Sequence, residues 1–204
     1  MQPDIRPLLA GKRTLIFDYD QTLVDSAGIH DKAFRAVLEP FDIVFDYAAI
    51  AGLTTKDAIE ELLERAGISV SPKGLERLVA RKRRIALELA ARELGPMPGA
   101  LELVQWASGR FRLAIFSSGS ASAIRNGLAA FALDDAFDPV VSAESVRRPK
   151  PDPEGLEIIC RETGTPPAEA LLFDDSPLGL AAARAMGMDA IDVASMPLDR
   201  IDYR

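Results

Sequence analysis

Hydrophobic positions along the chain follow two patterns. The first is a short unbroken apolar run that ends in polar residues. It occurs three times, as TLIFD (Thr14 to Asp18), RLAIFSS (Arg112 to Ser118) and ALLFDD (Ala170 to Asp175). PVVS near Val140 and AIDV near Ile191 are weaker copies. The second pattern, between most of these runs, is apolar residues at 3-4 spacing, which predicts amphipathic helices. Strands that are apolar on both faces and alternate with helices predict a parallel sheet sandwiched between helices, an α/β Rossmann-like core. Such sheets bind ligands beyond the carboxyl ends of their strands. Each strong strand carries a polar pair at that end: Asp18 and Asp20, Ser117 and Ser118, Asp174 and Asp175. One polar ending would simply meet solvent; three together argue for a site.

The interval 27–97 contains no strand-like run. His30 to Leu38 reads as a helix, and Thr55 to Ala66 as another with the stripe Ile59, Leu62, Leu63, Ala66. A long helix follows, with Ser71 as N-cap, Pro72 in the first turn and Gly95 as its stop. PMPG (Pro96 to Gly99) punctuates the return to the α/β pattern. The expected organisation is a catalytic core from residues 1–26 and 98–204, interrupted by a helical cap at 27–97. An insert at that point is expected over the strand ends, where it can close like a lid.

Composition narrows the function classes. At 204 residues, 48% hydrophobic and 27% charged, the chain is long enough for one core with a smaller insert. The formal net charge of −7 argues against nucleic acid or an anionic membrane surface as the main partner. It does not oppose a small anionic substrate, because local charge in a pocket can differ in sign. The one cysteine, Cys160, excludes a disulfide within the chain and fits a reducing, cytoplasmic setting. On its helix it is expected to be a small buried hydrophobe rather than a catalytic thiol. No apolar run approaches the length of a membrane span, and MQPDIRPLLAGKR lacks the apolar segment of a signal peptide. A monomer or weak dimer is expected, since nothing in the pattern demands more.

Several residues are placed oddly for structure alone. Asp18 and Asp20, one residue apart at a strand end, point the same way, and Tyr19 points opposite. Two close carboxylates beside an apolar core must be protonated, hydrated or paired with a cation. With Asp174 and Asp175 at a neighbouring strand end, a hard divalent cation with oxygen ligands would relieve the repulsion, and Mg²⁺ suits carboxylates, water and a phosphate oxygen. A carboxylate can attack phosphorus, and a second acid nearby can protonate the leaving oxygen and then activate water. Lys150, in RRPKPDP, is either an exposed basic turn or a lysine held toward the acidic cluster by its flanking prolines. Lys82 falls in the stripe Leu75, Leu78, Ile85, Leu89; from pattern alone its ammonium is expected to snorkel to the surface. His30 shares a stripe with Phe34, Val37 and Leu38, and pattern alone leaves core and cleft positions equally open.

These motifs together resemble the haloacid dehalogenase-like hydrolases, in the group with a helical cap after the first strand. They are DYDQTLVDS, the serine ending LAIFS, the lysine of KPDP, and the acidic pair of FDDSPLGLAAARAMGM, in family order from Asp18 to Met188. The resemblance implies that Asp18 is the nucleophile and a Mg²⁺ ligand. Asp20 would be the general acid/base, with its backbone carbonyl on the metal. Ser117 would hold a phosphate oxygen, with Ser118 beside it, and Lys150 would bridge nucleophile and phosphate. Asp175 would bind Mg²⁺, with Asp174 ligating directly or from behind it. In the cap, GLTTKD (Gly52 to Asp57), including Thr55, resembles the specificity loop, and His30 and Lys82 fall where related phosphotransferases contact substrate. Two departures stand out: Gln21 replaces a usual glycine near the phosphate-cradling backbone, and Pro149 replaces a common glycine before the lysine. The implied activity is hydrolysis of a small phosphorylated metabolite, for instance of the phosphoglycolate phosphatase kind. A sugar phosphomutase like β-phosphoglucomutase is the alternative. A non-catalytic binding protein fits poorly with intact acids at Asp18, Asp20 and Asp175. Asp20 also argues against dehalogenation and phosphonate cleavage, whose branches lack that aspartate.

Overall fold

A computed structural model describes residues 3–203. The chain forms two compact units, one running to Asp25 and resuming at Pro96, the other spanning Ser26–Gly95.

The first unit is built on a five-stranded parallel sheet. Its strands are β1 (Thr14–Phe17), β2 (Arg112–Phe116), β3 (Val140–Val141), β4 (Ala170–Asp174) and β5 (Asp189–Asp192), in spatial order β3-β2-β1-β4-β5. Both weak strand candidates therefore form edge strands. β1 lies between β2 and β4, with Phe17 opposite Ile115 on one side and Phe173 on the other. Its four residues are all buried, as expected for a strand covered on both faces. Ile16, Ala114, Phe116 and Leu172 pack on one face with Leu156 and Ile159 of a helix at Glu154–Thr163 and Ala182 and Ala183 of another at Pro177–Ala185. Phe17 and Phe173 stack on the opposite face at 4.9 Å between ring centroids. Each such fully buried side chain contributes about 1.5–3 kcal/mol. Cys160 packs half-buried against the first of these clusters, and burial raises its thiol pKa, so it stays a neutral thiol.

The strands end earlier than the apolar runs suggest. β1 stops at Phe17, and Asp18 begins the following loop, its N–H still donating to the Phe173 carbonyl at 2.8 Å. The chain leaves this unit after Asp25 and re-enters at Pro96, and the Met97 N–H donates to the Leu23 carbonyl at 2.9 Å.

The second unit is helical: α1 (Ala27–Leu38), α2 (Thr55–Arg65) and α3 (Pro72–Glu93). Phe34, Val37, Ile59, Leu62, Leu63 and Leu75 form its core. Ser71 caps α3 by accepting from the Gly74 N–H at 3.1 Å, and Thr54 caps α2 by accepting from the Asp57 N–H at 3.2 Å. Two boundaries shift from expectation. α1 begins three residues before His30, and α3 ends at Glu93, two residues before Gly95. Ala66, expected on the buried stripe of α2, is exposed because the helix has already ended.

Candidate active site

The parallel register decides the site. Matching Phe17 with Phe173 and Ile115 brings the residues just past each strand to one end of the sheet. Carboxylate oxygens of Asp18, Asp174 and Asp175 lie within 4.8 Å of one another there. Lys150 enters the same cluster from a distant loop, and its Nζ donates to Asp18 Oδ1 and to Asp174 Oδ2, both at 2.7 Å. The Lys150 side chain is 3% exposed, so the exposed-turn alternative fails. The loop that delivers it is braced: Glu154 accepts from the backbone N–H groups of Arg147 and Arg148 at 3.1 and 2.8 Å. Pro149 is exposed on that loop, and its carbonyl accepts from the Asp152 N–H at 3.0 Å.

Asp174 is wholly buried, and both its oxygens are engaged. Oδ2 meets Lys150, and Oδ1 accepts from the Ser176 N–H and hydroxyl, each at 2.8 Å. Asp175 is half-buried; its Oδ1 is 3.4 Å from the Thr22 hydroxyl. Asp175 and Thr22 also line a mostly apolar hollow of about 270 Å³ with Gln21, Met97, Val193 and Leu198.

Ser117 follows β2 directly, and its Oγ accepts from the Gly119 N–H at 2.9 Å, which leaves the hydroxyl hydrogen available for a ligand oxygen. Asp20 converges on the same spot: a Cβ placed on Gly119 would lie 3.1 Å from Ser117 Oγ and 3.2 Å from Asp20 Oδ2. Ser118 is half-buried beside them.

Electrostatics follow from burial and crowding. Burial pushes the Asp18 pKa well up, Lys150 opposes this, and Asp174, Asp175 and Asp20 push it further. Burial also raises Asp175, to about 6, with repulsion from Asp174 adding to it. For Lys150, burial favours the neutral amine, but the charges of Asp18 and Asp174 outweigh it and keep the ammonium. Three carboxylates against one lysine leave an excess of negative charge in a low-dielectric pocket. Such a set of hard oxygen donors fits a divalent cation, which would discharge the repulsion.

The sequence reading missed three residues that shape this site. Ser176 orients Asp174 and also accepts from the Gly179 N–H at 3.1 Å, so it caps the helix that follows. Gly179 is needed because an added Cβ would fall 1.9 Å from Asp174 Oδ2. Gly119 keeps space between Ser117 and Asp20. The S-x-x-G spacing after the acidic pair is an N-cap signal that could have found the first; close approach of the glycines is not visible in sequence. Gln21 has φ of +60°, a left-handed conformation that costs a non-glycine residue about 1–2 kcal/mol. That is the physical reason a glycine suits the position.

In the helical unit, His30 and Lys82 meet each other. Lys82 Nζ is 2.8 Å from His30 Nδ1 and 4.3 Å from the centroid of the Phe34 ring. Lys82 is only 4% exposed, so the snorkelling expectation is wrong. The imidazole nitrogen and the aromatic face are among the groups its ammonium meets. Thr55 is half-buried in the first turn of α2.

A family model described as haloacid dehalogenase-like hydrolase matches residues 15–193. Among curated relatives, the fructose-1-phosphate phosphatase YqaB of Escherichia coli (strain K12) is 33% identical, covering 88% of this chain and 95% of that protein. A beta-phosphoglucomutase of Bacillus subtilis (strain 168) is 27% identical, covering 89% and 83%. The crystal structure of CbbY from Rhodobacter sphaeroides in complex with phosphate superposes with a TM-score of 0.79 at 25% identity, covering 88% of this chain and 84% of that one.

Proposed function

Because the chain belongs to the haloacid dehalogenase-like hydrolases and is a phosphoric monoester hydrolase by its phosphatase relatives, we propose that it is a Mg²⁺-dependent phosphatase of small sugar phosphates, with Asp18 as nucleophile. The observation that carries this reading is the buried Lys150 held between Asp18 and Asp174 beside Asp175. Asp18, Asp175 and the Asp20 carbonyl would hold the metal, with Asp174 behind them. A bound Mg²⁺ would neutralise the carboxylates and stabilise charge on the phosphoryl group.

The chain's own groups account for the rest. Lys150 orients Asp18 through Oδ1, leaving the other oxygen to attack phosphorus and form an aspartyl-phosphate. Ser117 donates its hydroxyl to a phosphoryl oxygen. Asp20, next to Ser117, protonates the departing sugar oxygen, then takes a proton from the water that hydrolyses the acyl phosphate. Product is released as inorganic phosphate. In this reading the helical unit is the cap, and His30, Lys82 and Thr55 select the substrate. No helix among the described residues is long and apolar enough to cross a membrane, in keeping with a cytoplasmic enzyme.

The His30–Lys82 pair favours one second reading. A polar pair in the helical unit also suits a phosphomutase, which returns the phosphoryl group to sugar rather than water. The deciding experiment measures phosphate release from fructose 1-phosphate, glucose 1-phosphate, glucose 6-phosphate and phosphoglycolate, with Mg²⁺ or EDTA, for wild type and Asp18→Asn. Release from a sugar phosphate that needs both metal and Asp18 supports the phosphatase. Conversion of glucose 1-phosphate to the 6-phosphate without phosphate release would replace it with the mutase. A folded Asp18→Asn variant that still releases phosphate would overturn both.

A further inference from the structure

Lys150 stands in a stretch with little backbone bonding to hold it. Residues 146–154 read VRRPKPDPE, and the prolines at 149, 151 and 153 have no N–H to give. Neither helix nor strand forms between Val146 and Pro153. The ends of the stretch are fixed, because Val146 and Leu156 pack in the same core cluster. Between them, side chains do the holding.

The bonds around Lys150 close on Glu154. Its Oε2 reaches back six and seven positions, accepting from the Arg148 N–H at 2.8 Å and the Arg147 N–H at 3.1 Å. Asp152 completes the ring: Oδ1 accepts from the Glu154 N–H at 2.9 Å, and Oδ2 pairs with Arg148 Nε at 2.7 Å. The Asp152 N–H donates in turn to the Pro149 carbonyl at 3.0 Å. Glu154 is itself anchored. It is the first residue of the helix Glu154–Thr163, and Gly155 beside it lies so close to Phe116 that an added Cβ would fall 2.3 Å from that ring. The centroid of the same ring is 4.5 Å from Lys150 Nζ. Glu154 and the ammonium are thus both set against one side chain of β2.

We propose, resting on the reading of Asp18 as nucleophile, that Glu154 is a positioning residue for Lys150. By holding the two N–H groups that precede the loop's proline and lysine, it keeps Nζ 2.7 Å from both Asp18 and Asp174. Lys150 then occupies one Asp18 oxygen and leaves the other to attack. Glu154 acts through Lys150 and not on the substrate. Such placement matters because a shift of about 1 Å at a reacting group costs on the order of 100-fold in rate.

The test compares wild type with Glu154→Ala and with Glu154→Gln, whose amide oxygen can still accept both N–H groups. Lysines of the full chain are trace-labelled with acetic anhydride in EDTA, without substrate, and each is read by mass spectrometry against exposed Lys73. Expected is at least about tenfold faster labelling of Lys150 in Glu154→Ala, the loss of one charge-assisted contact or more. Glu154→Gln should label at the wild-type rate. Lys12, whose side chain is 4% exposed just before β1, reports any general opening of the unit and should not change. With Mg²⁺ and the best sugar phosphate of the panel, kcat in Glu154→Ala should fall about tenfold with KM within about twofold, and recover in Glu154→Gln. Labelling needs no turnover, so it judges Glu154 even if wild type releases no phosphate and the catalytic reading falls. Unchanged Lys150 labelling in Glu154→Ala, Lys12 rising in step with it, or a glutamine variant as impaired as the alanine one would overturn the proposal. So would faster labelling with an unchanged kcat. If Glu154→Ala does not fold, Glu154→Asp, one methylene short of the two N–H groups, is read the same way.

Discussion

The two units each bury a lysine, and they do so on different terms. Lys150 in the sheet unit sits 2.7 Å from each of two carboxylates that are themselves buried. Lys82 in the helical unit faces an imidazole nitrogen and the Phe34 ring. Removing the first would strand negative charge in a low-dielectric site. Removing the second would take a contact from the imidazole and from the aromatic ring. Burial alone is therefore a poor guide to what a charged side chain contributes; the groups left behind decide it.

The largest expected effect tests the first half of that contrast. Lys150→Met should abolish measurable phosphate release and cost about 3–5 kcal/mol in metal-free urea unfolding at neutral pH, the usual consequence of breaking a buried ion pair. The loss should shrink at acid pH as Asp18 is protonated. A variant as stable as wild type would mean the carboxylates tolerate one another unaided.

A smaller effect concerns that repulsion. Asp175 has a folded-state pKa of about 6, raised from 3.8 by burial first and by Asp174 second. Between those values the folded chain holds a proton that the unfolded chain has released. This contribution to stability is complete below the unfolded value and is lost as pH rises through about 6. Metal-free wild type should therefore fall in melting temperature relative to Asp175→Asn as pH rises through this window. Added Mg²⁺ should restore wild type and not the variant. A difference that does not change with pH would count against the crowded cluster.

The smallest effect belongs to Lys82. Lys82→Met keeps the volume and removes the contacts with His30 and with the Phe34 ring, the latter worth about 0.5–2 kcal/mol. Stability should fall by about 0.5–2 kcal/mol, less than for Lys150→Met. Turnover of sugar phosphates should still drop, with the change in KM exceeding that in kcat if Lys82 contacts substrate. A destabilisation as large as that of Lys150→Met would erase the contrast between the units.

Much of this was legible in the chain. The runs TLIFD, RLAIFSS and ALLFDD became the three central strands, and each polar pair came to the same end of the sheet. Ser71 starts its helix, because a cap needs only a side chain and a backbone N–H three residues on. Lys82 was misread for the opposite reason. A periodic stripe says which face of a helix is buried, but a group that its ammonium meets there, His30, lies 52 positions earlier.

By itself, then, the sequence determined the strands and helices, their order, and the residue types at each strand end, since these rest on spacing within a few residues. Tertiary structure decided which atoms meet. Lys150 closes on Asp18 across 132 positions, Gly179 leaves room for the Asp174 carboxylate, and Gln21 takes a left-handed turn. Each of these depends on how segments distant in the chain pack. Packing sets the distances and the exclusion of water on which charge, strain and close approach depend.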